Sequence, residues 1–171
     1  MRTGDFTTYV KPLLDKAQAD QKLVVLASHH SIGNMGDGSG LGGSKQADAM
    51  TSDQFANAIG AYPNVVFSIV GHSHANRVKF VQPTLGMHGW WEIMTSAIAD
   101  WPHQFRTIEI WDDDNGTLRL RGIDVDFATD GDPVALEGKQ LGILDLTTGW
   151  ITSGGPGNLD DRNVDVLMPK P

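Results

Sequence analysis

Val65-Val66-Phe67-Ser68-Ile69-Val70-Gly71-His72-Ser73-His74 joins a nearly continuous apolar run to a glycine and two histidines. The run is rich in β-branched side chains and follows a turn at Tyr62-Pro63-Asn64, so it reads as a strand covered on both faces. The same pattern occurs upstream, where residues 23–27 (LVVLA) end in Ser28-His29-His30. Between the two runs a helix is expected to start with Thr51 or Ser52 as N-cap and to continue through Phe55, Ala58 and Ile59. Strand, helix and strand in this order point to an α/β fold. In open α/β sheets ligands bind beyond the carboxyl ends of the strands. Adjacent strands would therefore bring His29, His72 and His74 together.

Outward from this unit, residues 5–19 predict a helix, with Phe6, Tyr9, Val10, Leu13, Leu14 and Ala17 at three- and four-residue spacing. Pro12 falls inside the pattern and predicts a kink, or a start near Lys11. Residues 31–44 lack periodicity and side chains large enough to pack, which predicts a mobile surface loop. The remainder reads as β-rich. Residues 77–81 alternate, 91–95 form a strand, and 104–111 pair with 117–125 across a turn ending in Asn115-Gly116, a strong hairpin signal. Beyond Phe127 the pattern weakens: residues 141–146 predict a short element and 153–171 an extended or frayed tail. The expected division is a domain over 1–127 with a partly irregular extension over 128–171.

The 171 residues suit one ordinary domain, and 40% apolar residues suffice for a core. A net charge of −8 with no basic patch argues against nucleic acid or an anionic membrane as partner. A phosphate-bearing ligand would need a metal to supply positive charge locally. The absence of cysteine removes thiolate zinc sites, disulfides and cysteine nucleophiles. No stretch reaches the roughly 18 apolar residues of a membrane span.

Imidazole is the commonest nitrogen ligand for zinc, iron and similar ions. In an extended stretch His72 and His74, two residues apart, would point the same way and address two ions side by side. His88 and His103 lie in turn-like sequence and read as structural or solvent-exposed. The Trp90-Trp91 pair reads as core filler, Asp112–Asp114 as a solvated turn, and Arg106 as a partner of Glu109 or Asp100.

Gly71-His72-Ser73-His74 after a strand ending in His29-His30 resembles the calcineurin-like binuclear metallophosphoesterases, where a ligand histidine at a strand end is followed by G-H-x-H. The segment from Trp91 through Asp100-Trp101-Pro102 to Ile110 is similar to the stretch after G-H-x-H in a bacterial branch of that superfamily. The similarity covers residues 23–126. It implies a four-layer α/β/β/α sandwich of which this chain forms the C-terminal half. It also implies hydrolysis of phosphate mono- or diesters with two divalent transition metal ions (Zn, Mn or Fe). His29 and His72 would ligate one ion and His74 the other, with His30 ranked below His29. Ser31 stands where a proline often comes after the histidine pair.

The family's D-x-H, G-D-x-x-D and G-N-H-[DE] motifs are absent from this chain. Gly33-Asn34-Met35 and Gly157-Asn158-Leu159-Asp160 imitate the third but lack its histidine. With no bridging carboxylate to hold two cations together, at most one ion is expected here, no catalytic residue is assigned, and the chain is expected to be inactive alone. Exposed strand edges and apolar faces would favour self-association. The alternative reading is a non-catalytic binding or packing domain with remnant histidines.

Overall fold

The computed structural model describes residues 1–149 and 154–171. It is a mixed α/β structure with a four-stranded sheet of order β1-β2-β4-β3 and a three-stranded sheet of order β5-β6-β7. The first contains β1 (Val24–Ala27), β2 (Val65–Val70), β3 (Arg77–Val81) and β4 (Trp90–Met94). The second contains β5 (Gln104–Asp112), β6 (Thr117–Asp126) and β7 (Val164–Pro169). Two compact units divide the chain: Met1–Ser68 with Phe80–Glu92 and Pro171, and Ile69–Lys79 with Ile93–Lys170.

In the first unit the helical segment is continuous but not uniform. It passes from α1 (Thr3–Asp5) through a π-helical turn (Phe6–Val10) into α2 (Lys11–Ala19). Pro12 carries no N–H, and its ring crowds the carbonyl four residues back. The widened turn just before it, closed by Lys11 N–H on Phe6 O, makes room. Phe6 and Leu14 are buried while Tyr9 and Leu13 stay exposed, so the inward stripe is narrower than the sequence pattern implies. The core gathers Phe6, Leu14, Ile32, Ile59, Val65 and Trp90. β2 is buried almost throughout, as its composition predicts, whereas β1 exposes Val25 because it lies at the sheet edge. α3 (Ser52–Ile59) opens on a capping box in which the Thr51 hydroxyl accepts from Gln54 N–H and Gln54 Oε1 accepts from Thr51 N–H. Trp90 is fully buried and donates its indole N–H to Ser68 Oγ at 3.3 Å, while Trp91 packs edge-on against Phe80.

Segment 31–44 is not simply a surface loop. Ser31 and Ile32 are buried, and short 3₁₀ turns form at Ile32–Asn34 and Gly40–Gly42. Ile32, Met35 and Leu41 are too sparse among glycines and small polar residues to create a periodicity, yet Ile32 reaches the core.

In the second unit β5 and β6 form the expected hairpin, with Gln104 opposite Asp126 and Asp112 opposite Leu118. The turn is fixed by Asp112 Oδ1 accepting from Asp114 N–H and Asn115 Oδ1 accepting from Thr117 N–H. Gly116 there has φ +82°, where a side chain would be strained. Within the tail the extended alternative holds over Val164–Pro169, and that stretch is paired rather than frayed: β7 runs antiparallel to β6 from Thr117↔Pro169 to Gly122↔Val164. Ser153, at the start of the expected tail, lies outside the described residues. The short element expected at 141–146 is part of a fifteen-residue helix, α4 (Pro133–Thr147). Asp132 caps it, its carboxylate accepting from Val134 and Ala135 N–H, and Pro133 occupies the first turn.

Arg106 pairs with neither Glu109 nor Asp100. It lies opposite Asp124 in the β5–β6 register and donates Nε–H to Asp124 Oδ1 at 2.6 Å. Both side chains are almost wholly buried. Asn76 joins them, donating to Asp124 Oδ2 and Gln104 Oε1, both at 2.8 Å, while its own Oδ1 accepts from Ser96 N–H.

Several carboxylates sit below their ordinary range. Lys11 and then the Tyr62 hydroxyl hold Asp15 down, Arg2 holds Asp48, and Lys170 holds Asp112. A depressed folded-state pKa gives stability that is present above the unfolded value, near pH 4, and lost as pH falls through the folded value. These surface pairs are therefore expected to lose their contribution to stability as pH falls below about 4. Asp15→Asn, which removes one titrating group, should flatten the curve in that window. A pH series of urea midpoints would check this; a steeper or unchanged slope counts against it.

Candidate metal centre

β1 and β2 are hydrogen-bonded neighbours, and a histidine-bearing segment follows each of them. After β1 the backbone bends, and Ser28 Oγ donates to the His30 carbonyl at 2.7 Å. In an extended strand consecutive side chains point to opposite faces. The bend removes that alternation: the His29 and His30 rings meet edge to face at 5.1 Å between centroids.

The segment is then pinned. Ser31 Oγ donates to Glu92 Oε1 at 2.5 Å and Ile32 N–H donates to Glu92 Oε2 at 2.8 Å. Glu92 is 1% exposed on β4, with both oxygens engaged. A hydroxyl can use this carboxylate, whereas a proline at position 31 could donate nothing to it.

Beyond β2 the 71–75 segment is bent rather than extended. His72 and His74 turn the backbone themselves, at φ 70° and 50°. Left-handed conformations cost a non-glycine residue of order 1–3 kcal/mol and concentrate at functional sites. The alternation of an extended strand therefore does not set the directions of these two side chains.

His29, His30 and His72 each offer a ring nitrogen, and these atoms lie within 4.8 Å of one another. All three residues are exposed. Zinc–nitrogen bonds of about 2.0–2.1 Å place tetrahedral ligands roughly 3.4 Å apart, inside the 4.8 Å within which these nitrogens lie. Three neutral imidazoles plus water are a sufficient donor set for zinc. The residues therefore fit a single transition metal ion.

His74 lies outside this trio. Its Nδ1 is hydrogen-bonded to Asp100 Oδ2. A carboxylate on Nδ1 fixes the tautomer that leaves Nε2 with its lone pair free, the arrangement typical of metal-ligating histidines. His88 Nε2 is bonded to the Val65 carbonyl at 3.0 Å and His103 Nδ1 to the Ile98 carbonyl at 2.9 Å, which gives both structural roles.

The sequence names His29 and His72 and ranks His30 below His29; all three ring nitrogens come together, while the bonds of Asp100 to His74 and of Glu92 to Ser31 are not read from it. A lone acidic residue inside the apolar run Trp90-Trp91-Glu92-Ile93-Met94 is a usable signal for a buried anchor. No family model matches this chain, and no curated protein matches it.

Proposed function

We propose that this chain carries the histidine side of a metal centre in a phosphoesterase of the calcineurin-like type, as the C-terminal half of its four-layer sandwich. The single observation behind the reading is the convergence of His29, His30 and His72 at the ends of two adjacent strands. Support also comes from His74, oriented by Asp100, as a candidate ligand for a second ion. A bound divalent ion would supply Lewis-acid chemistry and neutralise the charge of a phosphate ester. The chain's own share is to present imidazole nitrogens, with the 28–32 bend held by Glu92 and the His74 ring held by Asp100.

The bridging carboxylate that holds paired cations about 3.5–4 Å apart is not supplied by any motif in this sequence. The proposal is accordingly metal binding without turnover by this chain alone, its substrates being phosphate mono- or diesters in the intact enzyme. Metal analysis of protein purified without chelator, together with hydrolysis of bis(4-nitrophenyl) phosphate, tests it. About one equivalent of transition metal without turnover is the expected result. Two equivalents with turnover would overturn the division of ligands between this chain and another segment. Absence of metal even after zinc loading would leave the histidines as remnants in a packing module.

A further inference from the structure

The second unit contains a cavity that the metal chemistry does not use. It measures about 270 Å³ and is lined by Ile98, His103, Phe105, Phe127, Ala135 and Gly138. We propose that it binds a small aromatic carboxylate, ring inward and carboxylate toward Lys139.

The walls are fixed by identifiable contacts. His103 is held on one side by the Ile98 carbonyl, and its Nε2 abuts Gly142 so closely that a Cβ there would lie 2.0 Å away. Its ring meets Phe127 edge to face, at 5.8 Å between centroids and 89° between planes. Aromatic side chains held at such angles favour another ring at the same separations.

α4 leaves the space open through Gly138. Unlike Gly142, it has nothing within 4 Å of the point a Cβ would occupy, so packing does not require a glycine there. Glycine inside a helix costs about 1 kcal/mol relative to alanine. Here that residue coincides with the cavity wall.

Lys139 favours an anion. Lys139 Nζ sits 5.7 Å from the Phe127 ring centroid. Among the described residues it has no carboxylate partner within ion-pair distance. Lys139 is outside the lining but shares the Phe127 ring with it, so a carboxylate borne by a ligand against Phe127 would have this ammonium group as its nearby cation, which a neutral analogue could not exploit.

Titration of the ¹⁵N-labelled chain with 2-naphthoate, beside 2-naphthamide, tests the proposal. Saturable shifts at the backbone amides of the six lining residues are expected. Naphthoate should bind up to about fivefold more tightly than the amide, the scale of a partly exposed ion pair. Lys139→Gln, which leaves the walls intact, should erase that preference. Gly138→Leu, with an unchanged circular dichroism spectrum, should abolish the shifts. Should that variant misfold, Lys139→Gln decides alone. Absence of saturation, equal affinity for both probes, or full binding by a folded Gly138→Leu variant would overturn the site. So would concentration-dependent shifts of the same amides without probe, which would assign the cavity to a second copy of the chain.

Discussion

Replacing Asp124 with alanine is expected to destabilise the protein by about 3–5 kcal/mol, the usual consequence of removing one partner from a buried ion pair. The Arg106 and Asp124 side chains are only 1% and 5% exposed. Without Asp124 the guanidinium keeps its Nη2 bond to the Asp161 carbonyl but loses its counter-charge. Nη1 already has no partner among the described residues, so little remains to compensate it. Asn76 would lose one of its two side-chain acceptors as well. A double replacement, Arg106→Met with Asp124→Leu, should cost less than Asp124→Ala alone, because desolvation of both charges disappears together. Urea unfolding of the three proteins measures the comparison. A single-variant loss below about 1 kcal/mol would mean that solvent reaches the pair despite its burial.

That ion pair also shows which parts of the fold are readable in the sequence and which are not. Once Asn115-Gly116 is recognised as a hairpin turn, the register puts Arg106 opposite Asp124. The local alternatives, Glu109 and Asp100, mislead because they ignore cross-strand geometry. β2 and α3 are legible for similar local reasons: one is a short apolar run and the other begins with Thr51 and Gln54 at capping-box spacing. α4 is not, since its apolar residues are distributed around the helix and Val134, Leu141 and Leu144 remain exposed. Asp132-Pro133 is nevertheless a start signal. β7 needs a partner, β6, about forty residues away, and strand pairing at that distance leaves no local trace. The histidines divide in the same manner. Their positions at strand ends can be read from hydrophobic runs, but the approach of His30 depends on a bend held by Ser28 and anchored through Glu92, sixty-one residues beyond Ser31.

The corresponding prediction for the metal centre separates His30 from His74. If the proposed ion sits among His29, His30 and His72, then His30→Ala should lower zinc affinity about as severely as His72→Ala, by at least roughly 100-fold. His74→Ala should change it by less than about threefold, because that ring is engaged with Asp100 and lies outside the trio. Glu92→Gln should fall between these limits. The amide oxygen can accept from Ile32 N–H while the amide NH2 donates to Ser31 Oγ, but the Ser31 proton then loses its charged acceptor, so the 28–32 bend loosens without losing a ligand. Outer partners that orient ligands typically account for 10–100-fold in affinity. Competition against a chromophoric chelator would give the four affinities. Equal losses for His74→Ala and His72→Ala, with His30→Ala near wild type, would move the ion to the G-H-x-H segment. The bend at His29-His30 would then be a packing feature of the loop, fixed by Glu92 for the sake of Ile32 in the core.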